Sequence, residues 1–254
     1  MVTTGTLAGV RFTFLPRHGA DHATPPDAVN YRANIDVLKR CGVTDVLALS
    51  AVGSLREDMA PGHLVTVDQF IDHTQGRARS FFGSGCVAHV GLADPVCPRL
   101  AGLALSAGRE AGAVVHEVGC YVAIGGPQFS TRAESRLYRQ WGADVIGMTA
   151  MPEARLAREA ELPYALLGMI TDWDSWREAA GEDVSISEVL RVMGDNARLA
   201  QDTVRALAAA LPETREASPI DVALDHAIVT APDTRDPVLV AKLDAVAGRV
   251  LRPA

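Results

Sequence analysis

The stretch TFLPRHGADH, residues 13–22, closes a short apolar run with Arg17, His18 and Gly19, and His22 follows four residues after His18. A guanidinium offers forked, charge-assisted donors to a phosphate. The imidazole beside it has two chemical uses: attack on a phosphate ester, or help in holding free phosphate. A solvated turn is the third reading of these residues. SAVGSL, Ser50 to Leu55, is a run of small residues in which Gly53 lets the backbone approach a ligand and its N–H groups face an anion. It reads equally as an ordinary strand-to-helix turn. Thr149, after Ile146-Gly147-Met148, has a hydroxyl for the same anion or for capping the helix that follows.

TDWDSW, Thr171 to Trp176, sets Asp172 and Asp174 two residues apart beyond a buried segment. Two carboxylates there can hydrogen-bond the polar edge of a base, or one can be kept protonated as a general acid. That role needs a pKa about three units above roughly 3.9, about 4 kcal/mol of differential interaction. A dry pocket or a neighbouring carboxylate supplies it. Two solvated loop aspartates are the alternative. No histidine joins the pair at ligand spacing, so no metal is expected. Neither GxxxxGK[ST] nor GxGxxG occurs, which leaves a nucleotide P-loop and a dinucleotide fold unsupported. A phosphohistidine mechanism with His18 as nucleophile also needs a later histidine beside an acid. His63, His73, His89, His116 and His226 offer none in a recognisable motif after a strand.

The elements that must position these residues alternate between strand and helix. Val10–Leu15, Asp45–Leu49, HLVTVDQFI, VVHEVGCYVAI, DVIGM and YALLGMIT read as strands. AVNYRANIDVLKRCG reads as a helix with Ile35 and Leu38 on one face and Gly42 as its stop, and Pro98–Gly112 as an amphipathic helix. Thr131 three residues before Glu134 has capping-box spacing, and Pro152 suits a first helical turn. Ser185 and Glu188 repeat the capping-box spacing ahead of a helix to about Leu211, and a short helix follows Pro237. The expected fold is α/β: one domain over residues 1–254, with a mixed central sheet flanked by helices on both faces. Ligands in such sheets gather beyond the carboxyl ends of strands, where PRHG, SAVGS, GMT and TDWD are all expected.

Composition narrows the class. The 254 residues are 48% hydrophobic and 5% aromatic, which suits a close-packed aliphatic core. The net charge of −7 argues against a nucleic-acid footprint. No apolar run has membrane-spanning length, and MVTTGTLAGV lacks a signal peptide's basic start. The scattered Cys41, Cys86, Cys97 and Cys120 are expected as reduced core thiols in a cytoplasmic chain.

Taken together, FLPRHGADHATPPDAVNYRANIDVLKRCG, SAVGSLREDMAPGHLVTVDQFIDHT, GGPQFSTRAESRLYRQWGADVIGMTAMPEARLAREAE and TDWDSW resemble the trimeric purine nucleoside phosphorylase family, in the branch that cleaves 5′-methylthioadenosine. The resemblance runs from about Gly9 to the final helix. It implies a salvage enzyme, a pentosyltransferase, that needs no metal or organic cofactor and takes inorganic phosphate as co-substrate. It implies that Arg17, His18, Ser50, the backbone at Ala51 and Thr149 bind phosphate. Phe129 would pack on the purine, Met148 would lie beneath the ribose, and His22 would line the 5′ end. Asp172 and Asp174 would face N7 and the 6-position, with Asp172 protonated. His89 would reach the 5′ substituent from a neighbouring subunit of a homotrimer.

Two departures stand out. Family members begin with a strand and a Gly-rich loop bearing a Ser or Thr that also grips phosphate. The expectation here is that this strand and loop are missing, leaving a sheet edge unpaired and weakening phosphate affinity by about ten- to a hundredfold. Gly125 stands where relatives of the branch often carry Glu. Two rival readings remain: a phosphorylase of 6-oxopurine nucleosides or methylthioinosine, and a non-catalytic nucleoside-binding relative.

Overall fold

In this computed structural model, which describes residues 2–177 and 186–251, the chain opens with a hairpin. β1 (Thr3–Leu7) pairs antiparallel with β2 (Val10–Phe14) around a turn in which Ala8 and Gly9 both have positive φ. α1 (Tyr31–Arg40) starts where the Asn30 side chain accepts from the Ala33 N–H at 3.0 Å, and it buries Tyr31, Ile35 and Leu38. Then come β3 (Val46–Ser54), β4 (Leu64–Val67), β5 (Gln69–Asp72), α2 (Pro98–Glu110), β6 (Val115–His116) and β7 (Cys120–Ala123). α3 (Arg132–Gln140), β8 (Val145–Gly147), α4 (Ala150–Glu159), β9 (Tyr164–Asp172), α5 (Ile186–Ala210), α6 (Pro237–Lys242) and α7 (Gly248–Leu251) complete the chain. The capping box at α3 is formed in both directions between Thr131 and Glu134. Ser185 of the second expected box lies outside the described residues, as does the side chain of Glu188.

Seven strands form one mixed sheet in the order β5-β7-β8-β3-β9-β4-β6, and the β1–β2 hairpin stands apart from it. β9 alternates between two cores. Tyr164, Leu166 and Ile170 join Ala154 and Leu156 of α4 and Ile35 of α1, while Ala165 meets Leu100 of α2 and Leu167 packs on the side of Leu105 and Leu199. Helices therefore cover both faces, as a sheet of continuous apolar strands requires. The four cysteines are free, and among the described residues no helix is long and apolar enough to cross a membrane.

Two sequence expectations are corrected. SAVGS is not a turn after a strand ending at Leu49; it is the second half of β3. Pairing with β9 from Val46 to Gly53 holds these weak strand formers extended, and the register shifts between Val52 and Gly53. Tertiary pairing overrides local propensity here. HLVTVDQFI likewise splits: β4 pairs with β9 and β6, and β5 pairs with β7 near the other end of the sheet.

β3 has β9 along one edge but meets β8 on the other only at Gly53 and Ser54. The remaining edge has no strand partner among the described residues. A cavity of about 580 Å³ lies there, between Val46–Leu49, the hairpin, α1 and the end of α5.

Candidate active site

The structure brings most of the singled-out residues to the ends of β3, β8 and β9, in two adjoining groups. The first is built around Arg17. Its Nε and Nη2 donate to Glu153 Oε2 and Oε1 at 2.5 and 2.6 Å, and Nη1 donates to the Leu49 carbonyl at 3.1 Å. Burial opposes its charge, but the Glu153 carboxylate outweighs that and holds the guanidinium above its ordinary pKa. The fork that sequence reasoning aimed at phosphate is thus occupied by an internal carboxylate. A buried cation needs an anion within reach, and Glu153, itself 4% exposed and bonded by the Tyr164 hydroxyl at 3.0 Å, supplies it. Three of the five guanidinium N–H groups are spent, which leaves one on each Nη for a ligand.

Ser50 and Thr149 are both buried. The Ser50 hydroxyl donates to the Ala51 carbonyl at 3.2 Å. Thr149 stands at the N-cap of α4, yet its side chain makes no capping bond, so the hydroxyl is not spent on the helix. Between them lies the phenol of Tyr121, whose oxygen accepts from the Thr149 N–H at 3.4 Å. Burial raises this phenol's pKa against the opposing pull of the Ser50 hydroxyl. His18 and His22 leave β2 as a stacked pair, ring centroids 4.2 Å apart. The Thr24 carbonyl, 2.8 Å from His18 Nδ1, fixes the ring proton there and leaves Nε2 as acceptor. Burial lowers the His18 pKa and favours this neutral form.

The second group is the pair of aspartates. Asp172 ends β9 opposite Gly53 of β3. A Cβ at Gly53 would stand 2.9 Å from Asp172 Oδ1 and 3.3 Å from Asp174 Cβ, so glycine makes room for both carboxyls. Asp172 Oδ1 accepts from the Asp174 N–H at 2.8 Å and Oδ2 from the Thr171 hydroxyl at 2.7 Å. Burial raises its pKa, and those two bonds pull the other way. Asp174 adopts φ 48° and is 3% exposed, with Oδ2 lacking any hydrogen bond. Burial pushes its carboxyl up to about 6, against the nearby Ser135 and Ser130 dipoles and helped by the Asp172 charge. The solvated-loop alternative fails here. Trp176 anchors the loop by donating to the Ser54 carbonyl at 2.8 Å, under the Arg139 guanidinium at 3.8 Å.

Met148, next to Thr149 in the chain, packs against the buried cluster that includes Leu55, Ile146 and Trp176. Two expected residues are not drawn in. Phe129 is 42% exposed on the loop after β7, and His89 is exposed, its N–H held by the Ala227 carbonyl at 2.8 Å. His63 and His116 pair with each other at 3.1 Å and not with the His18 cluster. Among the described residues no group of three or more His, Cys, Asp or Glu is placed to hold a metal.

Sequence reasoning missed Glu153, Tyr121, Ser130 and Ser135. Glu153 follows Pro152 in a first helical turn, where an acid ordinarily faces solvent.

Residues 2–209 match the model of the phosphorylase superfamily. The chain is 58% identical to the S-methyl-5′-thioadenosine phosphorylase of Cereibacter sphaeroides, over 99% of this chain and 87% of that one. It is 54% identical to the enzyme of the same name from Bradyrhizobium diazoefficiens, over 98% and 86%. Among solved structures it is similar to a methylthioadenosine phosphorylase from an Antarctic soil metagenomic library, with TM-score 0.91 and 42% identity over 96% of this chain and 86% of that one. A double mutant of the Schistosoma mansoni adenosine/methylthioadenosine phosphorylase, solved with adenine, gives TM-score 0.83 and 35% identity over 87% and 86%.

Proposed function

Because the chain belongs to the phosphorylase superfamily, we infer that it catalyses phosphate-dependent cleavage of 5′-methylthioadenosine to adenine and 5-methylthioribose 1-phosphate. The observation that carries the choice of base is the aspartate pair. Adenine offers an acceptor at N7 and donors at the 6-amino group, so it needs one protein donor and one acceptor. A half-buried Asp172 beside a buried Asp174 pushed up to about 6 would supply that set with one proton between them. A 6-oxo purine would need donors at both positions.

In this reading Asp172 and Asp174 face N7 and the 6-position. Arg17, through its two unspent N–H groups, His18, Ser50, the Ala51 backbone and Thr149 hold phosphate below C1′. As the C1′–N9 bond breaks, its electrons pass into the purine ring and a proton moves from the aspartate pair to N7. A phosphate oxygen then closes on C1′. The fixed anion stabilises the oxocarbenium-like transition state without reorganising. Met148 lies beneath the ribose, Phe129 packs on the base, and His22 lines the 5′ end. The exposed His89 serves the 5′ substituent of a neighbouring subunit, in a homotrimer of single-domain chains acting in the cytoplasm. Inorganic phosphate is the co-substrate, and no step calls for a metal or organic cofactor.

The test is release of adenine from methylthioadenosine, with and without phosphate, beside release of hypoxanthine from the inosine analogue. Phosphate-dependent adenine release in excess is expected. A preference for the inosine analogue, or no turnover of either, overturns the reading.

The glycines before Pro127 give a sharper check on Met148. A Cβ at Gly125 would meet nothing within 4 Å, whereas one at Gly126, at φ 67°, would collide with Met148 Sδ. Gly125→Ala is therefore expected to keep parental kinetics. Gly126→Ala is expected to raise the nucleoside KM by about tenfold or more, through strain and a displaced Met148. Equal kinetics for the two variants would remove Met148 from the ribose site.

A further inference from the structure

Arg77 sits in the segment after β5, outside every motif the sequence singles out. Its Nη1 donates to the Met148 carbonyl at 2.6 Å and to the Met151 carbonyl at 2.8 Å, and Nη2 donates to the Gly125 carbonyl at 2.9 Å. The guanidinium carbon stands 5.2 Å from the centroid of the Tyr31 ring, which is 3% exposed and fixed by its hydroxyl bond to the Pro26 carbonyl at 2.8 Å. No carboxylate among the described residues pairs with Arg77. One planar cation thus gathers three carbonyls from three places: the loop after β7, the end of β8, and the non-helical residue Met151 that precedes Pro152.

Those carbonyls bracket the candidate site. Met148 and Met151 flank Thr149, so the two hydrogen bonds donated by Nη1 span the turn that carries the Thr149 hydroxyl. Gly125 begins the loop that carries Gly126, against Met148, and then Phe129. A single displacement of Arg77 would shift the phosphate hydroxyl, the ribose floor and the base loop together. Buried carbonyls of this kind need donors, and the fork of a guanidinium reaches several at once where an ammonium is a point donor.

We propose that Arg77 is a positioning residue for the phosphorolysis, holding Thr149, Met148 and the Gly125–Phe129 loop in one frame so that the phosphate and nucleoside sites form together. The proposal rests on the site assignments above. It predicts that losing the fork damages both sites, although Arg77 touches neither ligand.

The experiment compares the parent with Arg77→Lys, Arg77→Met and Arg77→Ala, the last with and without added guanidinium ion. KM for phosphate, KM for methylthioadenosine, kcat and the thermal midpoint are measured for each. Calorimetric binding of inorganic phosphate and of adenine is measured alongside. The expected result is a rise in both KM values of about ten- to a hundredfold in the Met and Lys variants. Guanidinium ion should restore Arg77→Ala at an unchanged thermal midpoint. Parental KM values in Arg77→Met overturn the proposal, as does recovery in Arg77→Lys, which would make charge alone sufficient. Loss that follows the thermal midpoint without guanidinium rescue also overturns it, as a purely structural role. If the parent binds phosphate and adenine but does not turn over, the functional reading falls, and the calorimetric comparison still judges Arg77 by the same criteria.

Discussion

Asp172→Asn is expected to lower kcat for methylthioadenosine by about 10² to 10⁴ while leaving phosphate binding close to parental. The amide keeps the shape of the carboxyl and still offers a donor to N7, but it cannot transfer a proton as the glycosidic bond breaks. The loss should be of similar size on the inosine analogue, because N7 is an acceptor in both bases. Asp174→Asn belongs beside it, because Asp174 has an unbonded oxygen and burial pushes its carboxyl up to about 6. Both oxygens of Asp172 already accept bonds, so Asp174 is the readier store of the shared proton. The parental rate should fall as pH rises through about 6, where that proton is lost. Unaltered kinetics in both variants would rule out acid catalysis by the pair. A parental Asp172→Asn with a crippled Asp174→Asn would move the donor role to Asp174.

Glu153→Ala is expected to be the most destabilising single change in the site. It removes the only carboxylate among the described residues on the largely buried Arg17 guanidinium and one partner of the Tyr164 hydroxyl. Breaking a buried pair from one side costs about 3–5 kcal/mol, which in a chain of this size lowers the thermal midpoint by about 10 °C. Inorganic phosphate should recover part of the loss, because it offers the freed Arg17 fork the acceptors that Glu153 provided. The variant's midpoint is thus expected to rise more steeply with phosphate than the parent's. Thermal melts across a phosphate series check this. An unchanged midpoint would mean that Arg17 does not depend on Glu153, and equal phosphate slopes would place Arg17 away from the anion.

What sequence could supply and what it could not divide along the range of the interactions. The α3 capping box was legible because Thr131 and Glu134 lie three residues apart and act on each other's backbone. The start of α4 was legible for a similar reason, through Pro152. SAVGS was misread because its strand is imposed by β9, more than a hundred residues away in the chain. Small residues carry no local mark of a partner at that distance. Glu153 was missed because its helix position is typical of a solvated acid, and only the fold turns it inward onto Arg17.

The sequence by itself determined the chemistry available. It placed an arginine and histidine after the strand read at Val10–Leu15, a hydroxyl at Thr149 and two carboxyls in TDWD, within a chain of alternating strands and helices. Their types and order resemble one family closely enough to name a reaction. Tertiary structure decided how each group is used. The β3–β9 register sets Gly53 against Asp172 and leaves room for two carboxyls whose pKa burial raises. Glu153 takes the fork of Arg17 and leaves single N–H groups for a ligand. Arg77 ties the loop at Gly125 to the turn between Met148 and Met151. Proton affinity, spent donors and loop register depend on burial and on neighbours distant in sequence, so they exist only once the sheet has formed.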